Sequence, residues 1–262
     1  MQPPLRKSSV AFDRERWSGT YDRAHFPHFP CPKCDKGRVR HDGKTVQISE
    51  PTYSTKDRDH PDWEPRWDVE RFSLQLICDN GSCGEVVVVS GDTSLVEYYD
   101  DEDDRWVYSS YLRPRAMFPA PLTIEVPSQA PRNVRDNIRL ASSHYWFDTS
   151  AAANRLRASV EFLLDFLEIP RETVNASSGK TNRLDLNARI AHYEQSNAEH
   201  APSLTALRMI GNLGSHGEDV QQEAILDAFE VYEYTLDALC GQRKDRIEAL
   251  RQKLIATNGK YS

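Results

Sequence analysis

Ala151-Ala152-Ala153-Asn154-Arg155-Leu156-Arg157-Ala158-Ser159-Val160-Glu161-Phe162-Leu163-Leu164 reads as one amphipathic helix. Leu156, Val160, Leu163, Leu164 and Leu167 recur three and four residues apart, which puts them on a single helical stripe. Thr149-Ser150 offers hydroxyl caps ahead of the run, and Pro170 closes it because proline cannot continue a helix. Arg157 and Glu161 lie four residues apart and so share a face. The same period returns on both sides. Val134, Ile138 and Ala141 open an earlier helix. Leu184, Leu186 and Ile190 mark a later one. Leu204, Leu207 and Ile210 mark the next, with Pro202 at a favourable helix start. Ile225, Phe229, Tyr232, Leu236 and Leu239 predict a long last helix that extends through Ile247, Leu250 and Leu254, with Cys240 as core filling. Amphipathic helices with short joins describe a helical bundle.

One polar stretch interrupts this pattern: Gly211-Asn212-Leu213-Gly214-Ser215-His216. Two readings compete. In the structural one, the glycines let helix backbones approach, Asn212 and His216 satisfy backbone groups, and Arg157 pairs with Glu161. In the chemical one, His216 titrates in the range for acid–base work, Arg157 or Arg208 supplies a cation, and Asn212 orients phosphate or imidazole. Ligand binding is a third use of the same cluster.

The first half of the chain has a different texture. Four of the five cysteines form two close pairs, Cys31-Pro32-Lys33-Cys34 and Cys78-Asp79-Asn80-Gly81-Ser82-Cys83. Tight turns of this kind present two thiolates to one ion, and two of them complete a four-thiolate, structural Zn2+ site. Reduced structural or redox cysteines are the alternative. His25 and His28 are substitute ligands near the first pair. Phe72–Ile77 and Glu85–Ser90 predict a hairpin around the second pair. Leu95–Tyr99 and Trp106–Tyr111 predict another, with the acidic run Asp100-Asp101-Glu102-Asp103-Asp104 as its loop. Thr45–Ile48 is a shorter strand candidate, and Pro51 to Trp67 reads as an irregular insertion. Pro114, Pro119, Pro121, Pro127 and Pro131 predict an extended connector. The fold class is therefore α+β: a β-rich, zinc-ribbon-like region over residues 1–125, then an α-helical bundle over 126–262.

The formal charge of −7 excludes a uniformly basic nucleic-acid coat but leaves room for local basic faces. Arg132, Arg135 and Arg139 form one such group, with Arg113 and Arg115 in the connector; the alternative is a solvated face. No apolar run reaches bilayer length, and Met1–Lys7 lacks the apolar stretch of a secretory signal, so the expectation is a cytoplasmic protein with no membrane contact. No phosphate-binding glycine loop, dinucleotide fingerprint or nucleophile elbow is present.

The Ala151–Leu164 run resembles the Ala-rich "AA…LR…E.LL" helix of the family called domain of unknown function 4145. Ile210–Gly217 is similar to that family's "GN..xH" segment, and Leu186-Asn187-Ala188-Arg189-Ile190 to its intervening helix. The resemblance spans roughly residues 130–240. It implies an HEPN-like bundle, a family often placed behind a cysteine-pair element and linked to restriction and phage defence. Many HEPN proteins are metal-independent ribonucleases working as dimers; others are inactive RNA-binding or scaffold modules. The active ones carry an Arg a few residues before the His, and Gly211 stands in that place here. The resemblance thus implies a non-catalytic binding or assembly module. Its partners would be RNA or DNA and other defence proteins, and it would form a homodimer. The first alternative is an endoribonuclease using His216, Asn212, Arg157 and Glu161. The second, from net charge, is an acidic protein-interaction module.

Overall fold

The structure is a computed structural model that describes residues 12–34, 36–41, 43–174, 179–215, 219–241 and 243–260, of which 243–245 by backbone alone. The chain divides into two compact units, one running to Leu122 and including Ser142–Phe147, the other formed by Thr123–Ala141 and the chain from Asp148 onward.

The first unit is an antiparallel sheet of order β1 (Phe29–Pro30), β2 (Arg38–His41), β4 (Arg71–Cys78), β5 (Val86–Asp100) and β6 (Arg105–Phe118). β3 (Gln47–Ser49) pairs with β4 beside β2. Alternation decides which face is buried. Phe72, Leu74, Leu76 and Cys78 of β4 point inward, as do Val87 and Val89 of β5. Leu74 sits opposite Val89, and Val89 opposite Met117, so a buried row crosses three strands. The two hairpins expected from the sequence share a strand, because β5 continues through Gly91 instead of turning. A bulge at Ser90/Gly91 adds one residue to β6, and a Cβ at Gly91 would lie 2.1 Å from the Arg113 carbonyl oxygen. The same bulge admits Pro114, so β6 reaches Phe118 and the proline-rich connector begins later than expected.

A second layer of this unit is aromatic. Trp17, Tyr21, Phe26, Phe29, Tyr145 and Trp146 are all buried and pack edge to face or tilted, with ring centroids 5.0–6.5 Å apart. Their polar tips are used: Tyr21 Oη donates to the Arg16 carbonyl at 2.7 Å, and Tyr145 Oη donates to that of Trp17. The expected irregular insertion holds a short helix, α1 (Thr52–Asp57), anchored by buried Ser54. Its hydroxyl donates to Glu50 at 2.8 Å and accepts from Val69 N–H at 2.9 Å.

The second unit contains α3 (Thr149–Phe166), α4 (Leu186–Glu194), α5 (Ala201–Ser215), α6 (Gln222–Cys240) and α7 (Arg243–Ala256), entered through α2 (Arg132–His144). A small hairpin of β7 (Glu172–Val174) and β8 (Thr181–Arg183), absent from the sequence reading, sits between α3 and α4. Asp148 caps α3, accepting from Ala151 N–H at 2.8 Å; the cap is thus one residue before Thr149-Ser150. Glu168, with φ +59°, ends it before Pro170 is reached. The core joins Leu156, Val160, Leu163 and Leu164 with Ile138, Leu204, Leu207, Phe229 and Leu236, all fully buried. Buried Tyr232 is satisfied by Ser159, whose hydroxyl lies 2.8 Å from Tyr232 Oη and 3.2 Å from the Val134 carbonyl. The expected single last helix is two helices, parted at Gly241. A Cβ there would meet the Asp237 carbonyl oxygen at 2.2 Å. Cys240 is buried, as core filling requires.

Candidate metal centre and helical polar site

The two cysteine pairs occupy two neighbouring hairpin turns. Cys31 and Cys34 lie between β1 and β2; Cys78 ends β4, and Cys83 lies in the turn to β5. Pairing of Val39 with Cys78 brings the turns side by side. All four Sγ atoms fall within 4.8 Å of one another. Cys31 is 3.8 Å from Cys83, and Cys34 is 3.8 Å from Cys78, sulfur to sulfur. A disulfide needs ~2.05 Å. The edge of a tetrahedron with metal–sulfur bonds of ~2.3 Å is ~3.8 Å. The donor set therefore fits a four-coordinate metal ion, with no position left open for a substrate. His25 is mostly exposed and faces Asp22 at 3.3 Å instead of joining the set.

The local backbone supports the thiolates. Lys33 and Cys34 N–H groups each lie 3.4 Å from Cys31 Sγ, and Asn80 Nδ2 donates to Cys34 at 3.6 Å. Backbone N–H groups of Lys36 and Gly37 hold the Cys34 thiol down at about 6, whereas burial pushes Cys78 up to about 12. Four adjacent sulfurs cannot all ionise alone, and a divalent cation removes that conflict. Asp79 ties the turns together, accepting from Arg38 N–H at 2.8 Å and pairing with Arg40. A Cβ at Gly37 would lie 2.3 Å from Cys78 Sγ. Gly37→Ala is accordingly expected to weaken metal binding ~10- to 100-fold, the effect typical of losing a supporting group. Competition against a chromophoric chelator measures this, and an unchanged affinity would rule out the steric account.

In the second unit, Gly211 and Gly214 of α5 press on α3. A Cβ at Gly211 would lie 2.3 Å from Arg157 Cβ and 3.1 Å from the Ala153 carbonyl oxygen; one at Gly214 would lie 2.4 Å from that of Ser150. The Arg157 stem thus covers Gly211, next to half-buried Asn212. Arg157 Nη2 stands 3.6 Å from Glu161 Oε1, with both side chains about two-thirds buried. Arg208 is half-buried, and its Nε is buried with no acceptor among the described residues. His216 lies outside the described residues.

The basic residues separate. Arg113 and Arg115 belong to strand β6 of the first unit, not to a connector, and Arg115 pairs with Asp92 at 3.0 Å. Arg132, Arg135 and Arg139 are exposed on α2, where Asp136 reaches Arg132 at 3.4 Å and Arg139 at 3.2 Å. The sequence reading missed Arg171, Arg183 and Arg189. With Arg157 they line a cleft of about 290 Å³ together with Glu161, Leu184, Asp185 and Leu186. These residues lie on four segments, so no local spacing announces them.

Among the described residues no helix is long and apolar enough to cross a membrane. No match was found among curated proteins or among solved structures. Residues 19–117 match the model of a family described as Domain of unknown function (DUF8608), and residues 140–255 that of Domain of unknown function (DUF4145). The first span contains all four clustered cysteines; the second contains Arg157, Glu161 and the Gly211–Gly214 crossing. The segment that carries the potential metal centre is therefore similar to the one family, and the helical segment to the other.

Proposed function

We propose that this chain is a zinc-stabilised, non-catalytic binding and assembly module, linked to nucleic acid and to prokaryotic phage defence. It acts in the cytoplasm as a homodimer, with RNA or DNA and other defence proteins as partners. Zinc is the metal that best suits four thiolates in a tetrahedron. The observation that carries the nucleic-acid reading is the exposed row of Arg132, Arg135 and Arg139 on α2, beside Asp136, which reaches Arg132 and Arg139. Such a face binds phosphates without reading sequence. The non-catalytic part rests on Gly211: the site has no arginine there, and α3 occupies the space one would need.

Binding of a fluorescent single-stranded RNA, followed by anisotropy at several salt concentrations, tests this reading. Arg132→Gln/Arg135→Gln/Arg139→Gln is expected to weaken binding and to lower the salt slope by ~2–3, about one unit per lost phosphate contact. The RNA should remain intact. Wild-type affinity and slope in the triple variant would refute the α2 surface. The endoribonuclease alternative draws on one observation, that the Arg157 stem crosses Gly211 and brings a cation to the polar stretch from another helix. Cleavage without added metal that disappears in His216→Ala would replace the leading reading with that one. An acidic protein-interaction module would neither bind nor cut.

A further inference from the structure

We infer that the cleft lined by α3, the β7–β8 hairpin and the start of α4 binds the phosphate group of a small molecule, of the size of a mononucleotide or sugar phosphate. This goes beyond the α2 surface and shares with the ribonuclease alternative only Arg157 and Glu161. At about 290 Å³ the cleft sits at the lower end of the ~300–1,000 Å³ typical of small-molecule sites. That suits one phosphorylated unit better than a polymer strand.

Charge is the first argument. Four arginines meet three carboxylates. Asp165 is shared: Arg171 Nε donates to it at 2.8 Å and Arg189 Nη2 at 2.8 Å, and the Arg171 guanidinium holds its carboxyl below the usual range. Glu161 faces Arg157. Asp185 accepts from Ala188 N–H at 2.7 Å as the cap of α4. Arg183 is exposed and has no ion pair among the described residues. Among the residues that line the cleft, four arginines outnumber two carboxylates, Glu161 and Asp185.

The second argument is the cost of the arrangement. Arg189 is only 3% exposed, and although its Nη atoms reach Asp165 and the Ile169 and Glu161 carbonyls, its Nε has no acceptor. Arg157 Nε is in the same condition. Buried donors left unmatched are rare, and a bound anion is among the groups that satisfy them.

Geometry selects phosphate over carboxylate. The arginines come from α3, the entry to β7, β8 and α4, so four separate segments supply the donors. A tetrahedral dianion offers acceptors on all sides, whereas a carboxylate offers them in one plane. The array is also held in advance: the backbones of Glu172 and Arg183 stand opposite each other in the β7–β8 ladder, and Leu184 N–H donates to the Arg171 carbonyl at 2.8 Å.

Isothermal titration of the full chain with orthophosphate, 5′-AMP, adenosine and succinate is the test. Orthophosphate and 5′-AMP are expected to bind, and adenosine and succinate are not. Arg183→Gln, whose side chain makes no ion pair within the fold, should weaken both phosphates about tenfold or more, the worth of one charged hydrogen bond. Arg132→Gln/Arg135→Gln/Arg139→Gln should leave both affinities unchanged, which separates this site from the α2 surface. The proposal is overturned if neither phosphate binds, if succinate binds as well as phosphate, or if binding survives Arg183→Gln in a protein with wild-type circular dichroism.

Discussion

Cys78→Ser is expected to abolish stoichiometric metal binding and to loosen the end of the sheet that carries β1 and β2. Cys78 is the buried member of the set. Its backbone is pinned on both sides, by pairing with Val39 and by its N–H bond to the Glu85 carbonyl at 2.9 Å. A serine hydroxyl is a far poorer ligand than a thiolate for a soft tetrahedral site. β1 has two residues and β2 four, too few to hold their places by ladder bonds alone. Metal peptides without other structure draw ~10–16 kcal/mol from zinc. β4, β5 and β6 keep their own buried row, so the loss should be smaller, of several kcal/mol. Metal content by mass spectrometry and thermal melting with and without chelator give the readout. A variant that still holds one metal per chain and melts like wild type would refute a structural four-thiolate site.

Placing an arginine at Gly211, where the resemblance to active HEPN proteins implies one, should break the bundle instead of activating it. Gly211→Arg is expected to destabilise the second unit by about 3 kcal/mol or more, at the top of the range for overpacking a close contact. In an open helix, replacing glycine would gain ~1 kcal/mol of helix propensity. Here the new Cβ meets Arg157 Cβ at 2.3 Å, and α3 cannot retreat because Ala152, Ala153 and Leu156 are fully buried behind it. Leu213→Arg is the matched control: it lies on the same helix, is exposed, and should shift stability by no more than ~0.5 kcal/mol. Equal melting of Gly211→Arg and wild type in urea would contradict the crossing geometry.

The accuracy of the sequence reading followed the range of the signal. Helical stripes such as Leu156, Val160, Leu163 and Leu164 were legible because period and burial are both local. Their ends were less so: Asp148 takes the cap in place of Thr149-Ser150, and Gly241 parts α6 from α7 although the apolar period runs through it. Glu85–Ser90 and Leu95–Tyr99 read as separate strands, whereas β5 runs unbroken through Gly91. In the sheet it is the residue that tolerates the Arg113 carbonyl against it, a contact set by a strand more than twenty residues away.

The sequence alone determined the α+β character of this protein, the four cysteines that could hold a metal and the i, i+4 placement of Arg157 and Glu161. Each depends on neighbours within a turn or two, or on a residue type with few other uses. The tertiary structure alone decided that the four sulfurs close to tetrahedral distances, and that Gly211 is occupied from α3. It also brought Arg157, Arg171, Arg183 and Arg189 to one cleft. These are meetings of distant segments, set by how faces bury against one another, and no periodicity along the chain records them.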